Sequence, residues 1–198
     1  MGYLQGLDSR NSTAVERGTG GFLQLSSYIA GISGGSWTVG GLAGNDWPTT
    51  QALHDDILDL SAGIFTSPNS STNQTQYFAN IDTSLTAKQS AGYQLSFIDL
   101  WGNMLQSHFL ADGSNNLWSG ITQTAAFTNV SYPFPLVTTN QQVAGQVTLA
   151  GNGTIWEFNP YEVGSWDAGI EAFTPTPLFG STFNSGMATR CGSGFDTL

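Results

Sequence analysis

Gly31-Ile32-Ser33-Gly34-Gly35 is the stretch whose residue types and spacing can do chemistry. It fits the pattern G-x-S-x-G, in which a serine is presented on a sharp strand-to-helix turn and small neighbours let backbone pass close on both sides. A helix that follows such a turn aims its N-terminal N–H groups at the reacting centre. The N–H of Gly34 would then donate to the oxyanion formed when Ser33 attacks an ester carbonyl, a donor worth about 3–4 kcal/mol of transition-state stabilisation. The chemistry expected is acyl transfer through a covalent acyl-Ser33 intermediate. The chain holds 25 glycines, so the bare pattern arises easily by chance; its weight comes from the elements on either side.

A serine nucleophile needs a base. The histidines are His54 and His108. His108 falls on an apolar helical stripe, where a core role fits it best, and His54 sits beside Asp55 and Asp56 on a solvated helix face that Asp59 continues. A carboxylate that takes the serine proton directly, without histidine, suits this composition better. Asp112, Asn115 and Asn116 carry oxygen ligands but miss the spacing of a calcium loop and read as a turn. No metal site and no cofactor are expected.

The elements that must position Ser33 are legible around it. Leu23 to Ser33 is apolar and partly β-branched, and reads as a buried strand ending at the glycine cluster. Trp37 to Leu42 reads as the opening of a helix. Thr49 and Thr50 are placed to cap a second helix, with Leu53, Ile57, Leu60 and Ile64 on one face. Residues 66–75 read as a polar loop. From Leu85 to Leu110 apolar residues return at three and four, which predicts one long helix with Tyr93, Phe97, Leu100, Trp101, Met104, Leu105 and His108 on a stripe. Pro133 to Thr139 reads as a strand. Val147–Ala150 and Thr154–Phe158 read as two strands joined through Gly151-Asn-Gly. From Asn159 onward, glycine, proline and aromatic residues predict mostly loop. Helices and strands mix, so the expected class is α/β. Trp101, Trp156 and Trp166 read as packing residues rather than ligand platforms.

Composition narrows the partners. Of 198 residues, 9% are charged, where roughly 25% is ordinary. The basic residues are Arg10, Arg17, Lys88 and Arg190, and the net charge is −10. Nucleic acid is excluded, because phosphates need a basic patch, and so is electrostatic docking on anionic lipid heads. A lipid would be held by apolar contact. Asn11, Asn69, Asn73, Asn129 and Asn152 each open an Asn-x-Ser/Thr sequon, which favours passage through a secretory pathway. The N-terminus lacks the basic start and apolar stretch of a signal peptide, and no run is long enough to span a membrane. A chain with these sequons and no targeting segment is expected to lack its start, and the lone Cys191 to have its partner elsewhere.

Tyr28-Ile-Ala-Gly-Ile-Ser-Gly-Gly-Ser-Trp37 resembles the nucleophile segment of the fungal lysophospholipases (phospholipase B), which are similar to the cytosolic phospholipase A2 catalytic domain. Asp8-Ser-Arg10, Asp99-Leu-Trp-Gly102, Tyr132-Pro-Phe-Pro-Leu136, the run from Trp156 to Asp167, Leu178-Phe-Gly-Ser181 and Gly194-Phe-Asp196 continue the resemblance in the family's order, over nearly the whole chain. The resemblance implies a partial patatin/phospholipase A2-like hydrolase domain over residues 1–198, with Ser33 as nucleophile and Gly34 as oxyanion donor. It implies fatty-acyl ester hydrolysis of phospholipids and lysophospholipids, in a secreted or cell-surface protein that is free or lipid-anchored. The family's glycine-rich oxyanion segment and its dyad aspartate are expected outside this chain, which leaves the piece alone catalytically poor. Asp112, Asp167 and Asp196 are not given the dyad role. The competing reading is a non-catalytic secreted glycoprotein or glycan-binding module, supported by the Ser/Thr/Asn/aromatic composition and the sequons.

Overall fold

The computed structural model describes residues 1–58, 61, 63–68, 72–111, 117–142, 145–148, 151–185 and 187–190. Asp59, Leu60, Asn69, Asp112 with Asn115 and Asn116, Ala150, Cys191 and the segment from Gly194 to Asp196, all named above, lie outside the described residues. The helices are α1 (Gly2–Gln5), α2 (Ser12–Glu16), α3 (Phe22–Leu25), α4 (Gly34–Gly44), α5 (Thr50–Ala52), α6 (Gln74–Ser90), α7 (Phe97–Phe109) and α8 (Ala125–Thr128). The strands are β1 (Tyr28–Ile32), β2 (Phe134–Asn140), β3 (Ile155–Phe158), β4 (Glu162–Ser165), β5 (Ala172–Pro175), β6 (Thr182–Asn184) and β7 (Met187–Arg190). Five strands form one mixed sheet in the order β1-β2-β3-β4-β5, and β6 and β7 form a separate hairpin. β1 and β2 run parallel, with Gly31 opposite Val137; the pairs from β2 to β5 are antiparallel. The class is α/β, as expected.

α4 packs on β1 and β2 and carries Val39, Leu42 and Ala43 into the main core, where they meet Leu23, Trp47, Leu53, Trp118 and Ile121. Five of its eleven residues are glycine, each costing roughly 1 kcal/mol of helix propensity relative to alanine. Tertiary burial of its apolar face offsets that cost. A second cluster, Tyr77, Ile81 and Met104 with Leu85 and Leu100, joins α6 to α7.

Several elements differ from expectation, each for a local reason. The stretch from Leu23 is not strand throughout. Gly21 takes φ 109° and starts α3, so Leu23 enters the core from a helix, and the strand is confined to Tyr28–Ile32. Nor is that strand buried: Tyr28 and Ile32 are exposed, and β2 is its neighbour on one side. Thr49 does cap α5, accepting from the Ala52 N–H at 3.0 Å. The helix then loosens into a π-helical turn over Leu53–Ile57, and Ile64 packs in the α6–α7 cluster rather than beside Leu53. The long helix is two helices, broken where Gly92 adopts φ 87°. The break is stitched by a Lys88–Asp99 ion pair and by the Asp99 carboxylate, which accepts from both the N–H and the hydroxyl of Ser96 at the start of α7. Of the expected hairpin, Val147 lies exposed in a bend, residues 149 and 150 lie outside the described residues, and β3 pairs with β2 and β4. The region after Asn159 holds β4 to β7 rather than mostly loop. Asn159 shapes the β3–β4 turn by accepting from the N–H groups of Tyr161 and Glu162, and Asp167 accepts from the Ile155 N–H at 2.8 Å.

Candidate active site

Ser33 stands at the junction of β1 and α4 with φ 53° and ψ −125°. A non-glycine residue at positive φ is held there only when its surroundings over-determine it, at a cost on the order of 1–3 kcal/mol. Three features fix this turn. A Cβ at Gly31 would lie 2.5 Å from the Gly35 carbonyl oxygen and 2.8 Å from the Ser36 nitrogen, so only glycine lets the first helical turn fold back over the strand. The Ser36 hydroxyl donates to the Gly31 carbonyl at 3.0 Å. The Thr138 hydroxyl, reaching from β2, donates to the same carbonyl at 3.3 Å. Ser36 and Thr138 were not singled out in the sequence; three-residue spacing from the nucleophile is the one signal for Ser36, and Thr138 has none, since only the β1–β2 register brings it there. Gly34 and Gly35 differ from expectation: a Cβ at either meets nothing within 4 Å. The close approach therefore belongs to Gly31 alone.

Ser33 is the N-cap residue of α4, yet its hydroxyl caps no backbone N–H. Serine usually spends its hydroxyl that way, from an extended backbone. The left-handed φ turns the side chain aside, so both the hydroxyl and the first N–H groups of α4, Gly34 included, lack an intrahelical partner.

Ser33 opens onto a cavity of about 430 Å³. Trp37 and Gly40 from α4, Leu105 and Phe109 from α7, Phe158 from β3 and Phe179 from after β5 make its walls mainly apolar. The Trp37 ring packs on Phe109 at 5.1 Å and meets the edge of Trp101 at 6.2 Å. Trp101 is thus exposed and packs on Trp37 rather than in the core. No aspartate, glutamate or histidine lines the cavity, and none hydrogen-bonds Ser33 among the described residues. His108 is buried on α7, edge-on to Tyr77. His54 is exposed and bonded to Asp55. Asp167 is engaged at the start of β3. Among the described residues no cluster of His, Cys, Asp and Glu is arranged to hold a metal.

Behind α4, Asp8 and Arg10 form a clasp. Asp8 is 2% exposed and takes a fork of bonds from the Arg10 guanidinium. Arg10 in turn donates to the carbonyls of Trp47 and Pro48 and lies 4.9 Å from the centre of the Tyr132 ring, which stacks on Trp47. Asp46 and Trp47 are both left-handed, with φ 56° and 58°. The clasp, with the Ala126 N–H donating to Asp46, fixes this reversal at the C-terminal end of α4. Burial works against the Asp8 charge, but bonds from the Arg10 side chain and backbone and from Gln24 outweigh it and hold the carboxyl below its ordinary value.

An α/β sheet that presents a strained serine between strand and helix, over an apolar cavity, defines a candidate serine hydrolase of the patatin/phospholipase A2-like fold. Residues 1–198 match the model of the lysophospholipase catalytic domain, and the chain belongs to that family. It is 34% identical to lysophospholipase 3 of Candida albicans, covering 98% of this chain and 28% of the relative. Lysophospholipase 2 of the same species is 37% identical, with 98% and 33% covered, and lysophospholipase 1 of Saccharomyces cerevisiae 34% identical, with 98% and 32% covered. The chain spans about a third of the length of these curated relatives. Human GIVD cytosolic phospholipase A2 shares the fold, with a TM-score of 0.69 at 23% identity over 96% of this chain and 24% of that one. Membership in a hydrolase family favours the enzyme over the glycan-binding module.

Proposed function

We propose that Ser33 is the nucleophile of a lipid hydrolase that cleaves fatty-acyl esters of lysophospholipids and phospholipids. The observation that carries the reading is the strained backbone of Ser33, which leaves its hydroxyl uncapped at the mouth of an apolar cavity. In the proposed reaction Ser33 Oγ bonds to the ester carbonyl carbon while its proton passes to a base. The carbonyl oxygen takes negative charge, which the Gly34 N–H stabilises. The tetrahedral intermediate then expels the glycerol oxygen, which receives that proton, leaving acyl-Ser33. Water completes the cycle, releasing fatty acid and regenerating the serine. The base is proposed to be an aspartate outside this chain, consistent with a cavity free of carboxylates and imidazoles among the described residues. In the complete protein, Ser33→Ala should abolish hydrolysis of a lysophospholipid with the fold intact; retained turnover rules the assignment out.

The protein is further proposed to be a secreted or cell-surface glycoprotein. Asn73, Asn129 and Asn152 are exposed at a helix cap or turn. Asn11 is half-buried, its amide donating to the Gln5 carbonyl and accepting from Ala14. Glycan is expected at the first three and not at Asn11, and glycopeptide mapping of the protein from a eukaryotic host tests this. Among the described residues no helix is long and apolar enough to cross a membrane.

A further inference from the structure

Ser33 has an ordinary alternative to the backbone it adopts. A serine at a helix N-cap usually keeps extended dihedrals and lets its hydroxyl accept from the backbone N–H two or three residues on. Asn11, Thr49, Asn73 and Thr124 follow that rule, each extended and each accepting from the N–H three residues ahead. Ser33 does not: its φ is 53° and its hydroxyl caps nothing. The donor three residues ahead, the Ser36 N–H, bonds instead to the Ser33 carbonyl at 2.9 Å. Relaxation to the extended form would relieve backbone strain, and the hydroxyl would then be spent on α4 rather than left to react. Two hydroxyls stand against that relaxation. Those of Ser36 and Thr138 both donate to the Gly31 carbonyl, at 3.0 and 3.3 Å. Gly31 precedes Ser33 by two residues, and its carbonyl fixes the peptide that leads into the elbow. Thr138 reaches it from β2, where it is paired with Ile32, the residue just before Ser33.

We infer that Thr138 is a positioning residue: its hydroxyl, acting through the Gly31 carbonyl, holds Ser33 in the uncapped, reactive state against a self-capped one. This role rests on the reading of Ser33 as nucleophile. Ser36 belongs to the turn it braces, whereas Thr138 ties that turn to the neighbouring strand. Thr138 lines the same cavity as Ser33, but its hydroxyl proton is committed to Gly31 and no contact with substrate is assigned to it. Losing that donor lowers the fraction of molecules whose Ser33 is competent, and a process that requires the competent state weakens in proportion to its population. The apolar walls of the cavity are untouched, so the loss falls on kcat rather than on KM. A single neutral hydrogen bond corresponds to a rate factor of about three to ten.

The test uses the complete protein, a 1-acyl-glycerophosphocholine and a long-chain alkyl fluorophosphonate. Thr138→Val keeps the β-branched shape that suits a strand and removes the donor. It should lower kcat about three- to tenfold with KM within about twofold of the parent's, and slow the fluorophosphonate reaction at Ser33 by the same factor. Thr138→Ser restores the donor without the methyl group and should recover both rates, which a role in packing alone would not allow. Thr138→Ala serves where Thr138→Val does not fold. A folded variant without the hydroxyl that keeps the parent's kcat overturns the role, as does a loss confined to KM or one that Thr138→Ser fails to recover. A parent that takes no label on Ser33 overturns the reading of Ser33 itself.

Discussion

At the scale of single residues, Ser33, the proposed nucleophile, is held in a strained backbone. Its positive φ is a conformation glycine adopts freely. Ser33→Gly should therefore raise stability by about 1 kcal/mol while removing the nucleophile; a chemical denaturation curve reads the first effect and an ester assay the second. Unchanged or lowered stability would mean that the turn is not strained. Asp8 shows the opposite economy. Its folded-state carboxyl titrates below the ordinary value, so the ionised form favours the fold. The contribution is complete above the ordinary carboxylate pKa of about 4 and is lost as pH falls through the lowered value. Asp8→Ala removes the carboxylate partner of the partly exposed Arg10 and should cost about 1–2 kcal/mol near neutral pH, below the range for breaking a fully buried pair. The gap to the parent should close as the medium is acidified below about pH 4. A gap independent of pH would assign the loss to packing instead.

At the scale of elements, the elbow depends on one close approach and two hydroxyls. Gly31→Ala drives a methyl group into the Gly35 carbonyl and should abolish turnover and destabilise the fold by several kcal/mol, roughly the cost of severe overpacking. Gly34→Ala meets open space and should leave thermal stability within about 1 kcal/mol of the parent. Equal melting behaviour for the two variants would contradict the geometry. Much of this was legible in the sequence: the G-x-S-x-G turn, the helix after it and the strand from Pro133 all stand close to where their patterns place them. What was not legible depended on distance along the chain. Thr138 braces the elbow only because β2 docks in register beside β1. Gly92 splits a continuous apolar stripe, because a stripe reports which face is buried and not whether the backbone runs through. The strands after Asn159 are three or four residues long, too short to show an alternation, and they exist because each has a neighbour to pair with.

At the scale of the whole molecule, the net charge of −10 over these residues, with few basic ones, implies that on the proposed reading a lipid surface would be met through apolar contact and against any negative charge it carries. Hydrolysis by the complete protein should be slower on anionic than on zwitterionic mixed micelles at low ionic strength, and the difference should shrink in about 0.5 M salt, where charges are screened beyond a few ångström. A rate that rises with anionic lipid would show a cationic docking surface elsewhere in the protein. The molecule's other large-scale feature is the division of labour implied by the cavity. On the proposed reading, nucleophile, oxyanion donor and apolar walls come from these residues, and the base from outside them. Purified residues 1–198 should accordingly turn over lysophospholipid far more slowly than the complete protein.

The central claim is that Ser33 is a nucleophile in a site built for acyl transfer. It is tested most directly by treating the complete protein with a long-chain alkyl fluorophosphonate and mapping the adduct by peptide mass spectrometry. A stoichiometric adduct is expected on Ser33, absent from the Ser33→Ala variant and formed in step with the loss of ester hydrolysis. Complete inactivation with the adduct on another residue, or an active protein that leaves Ser33 unlabelled, would contradict it.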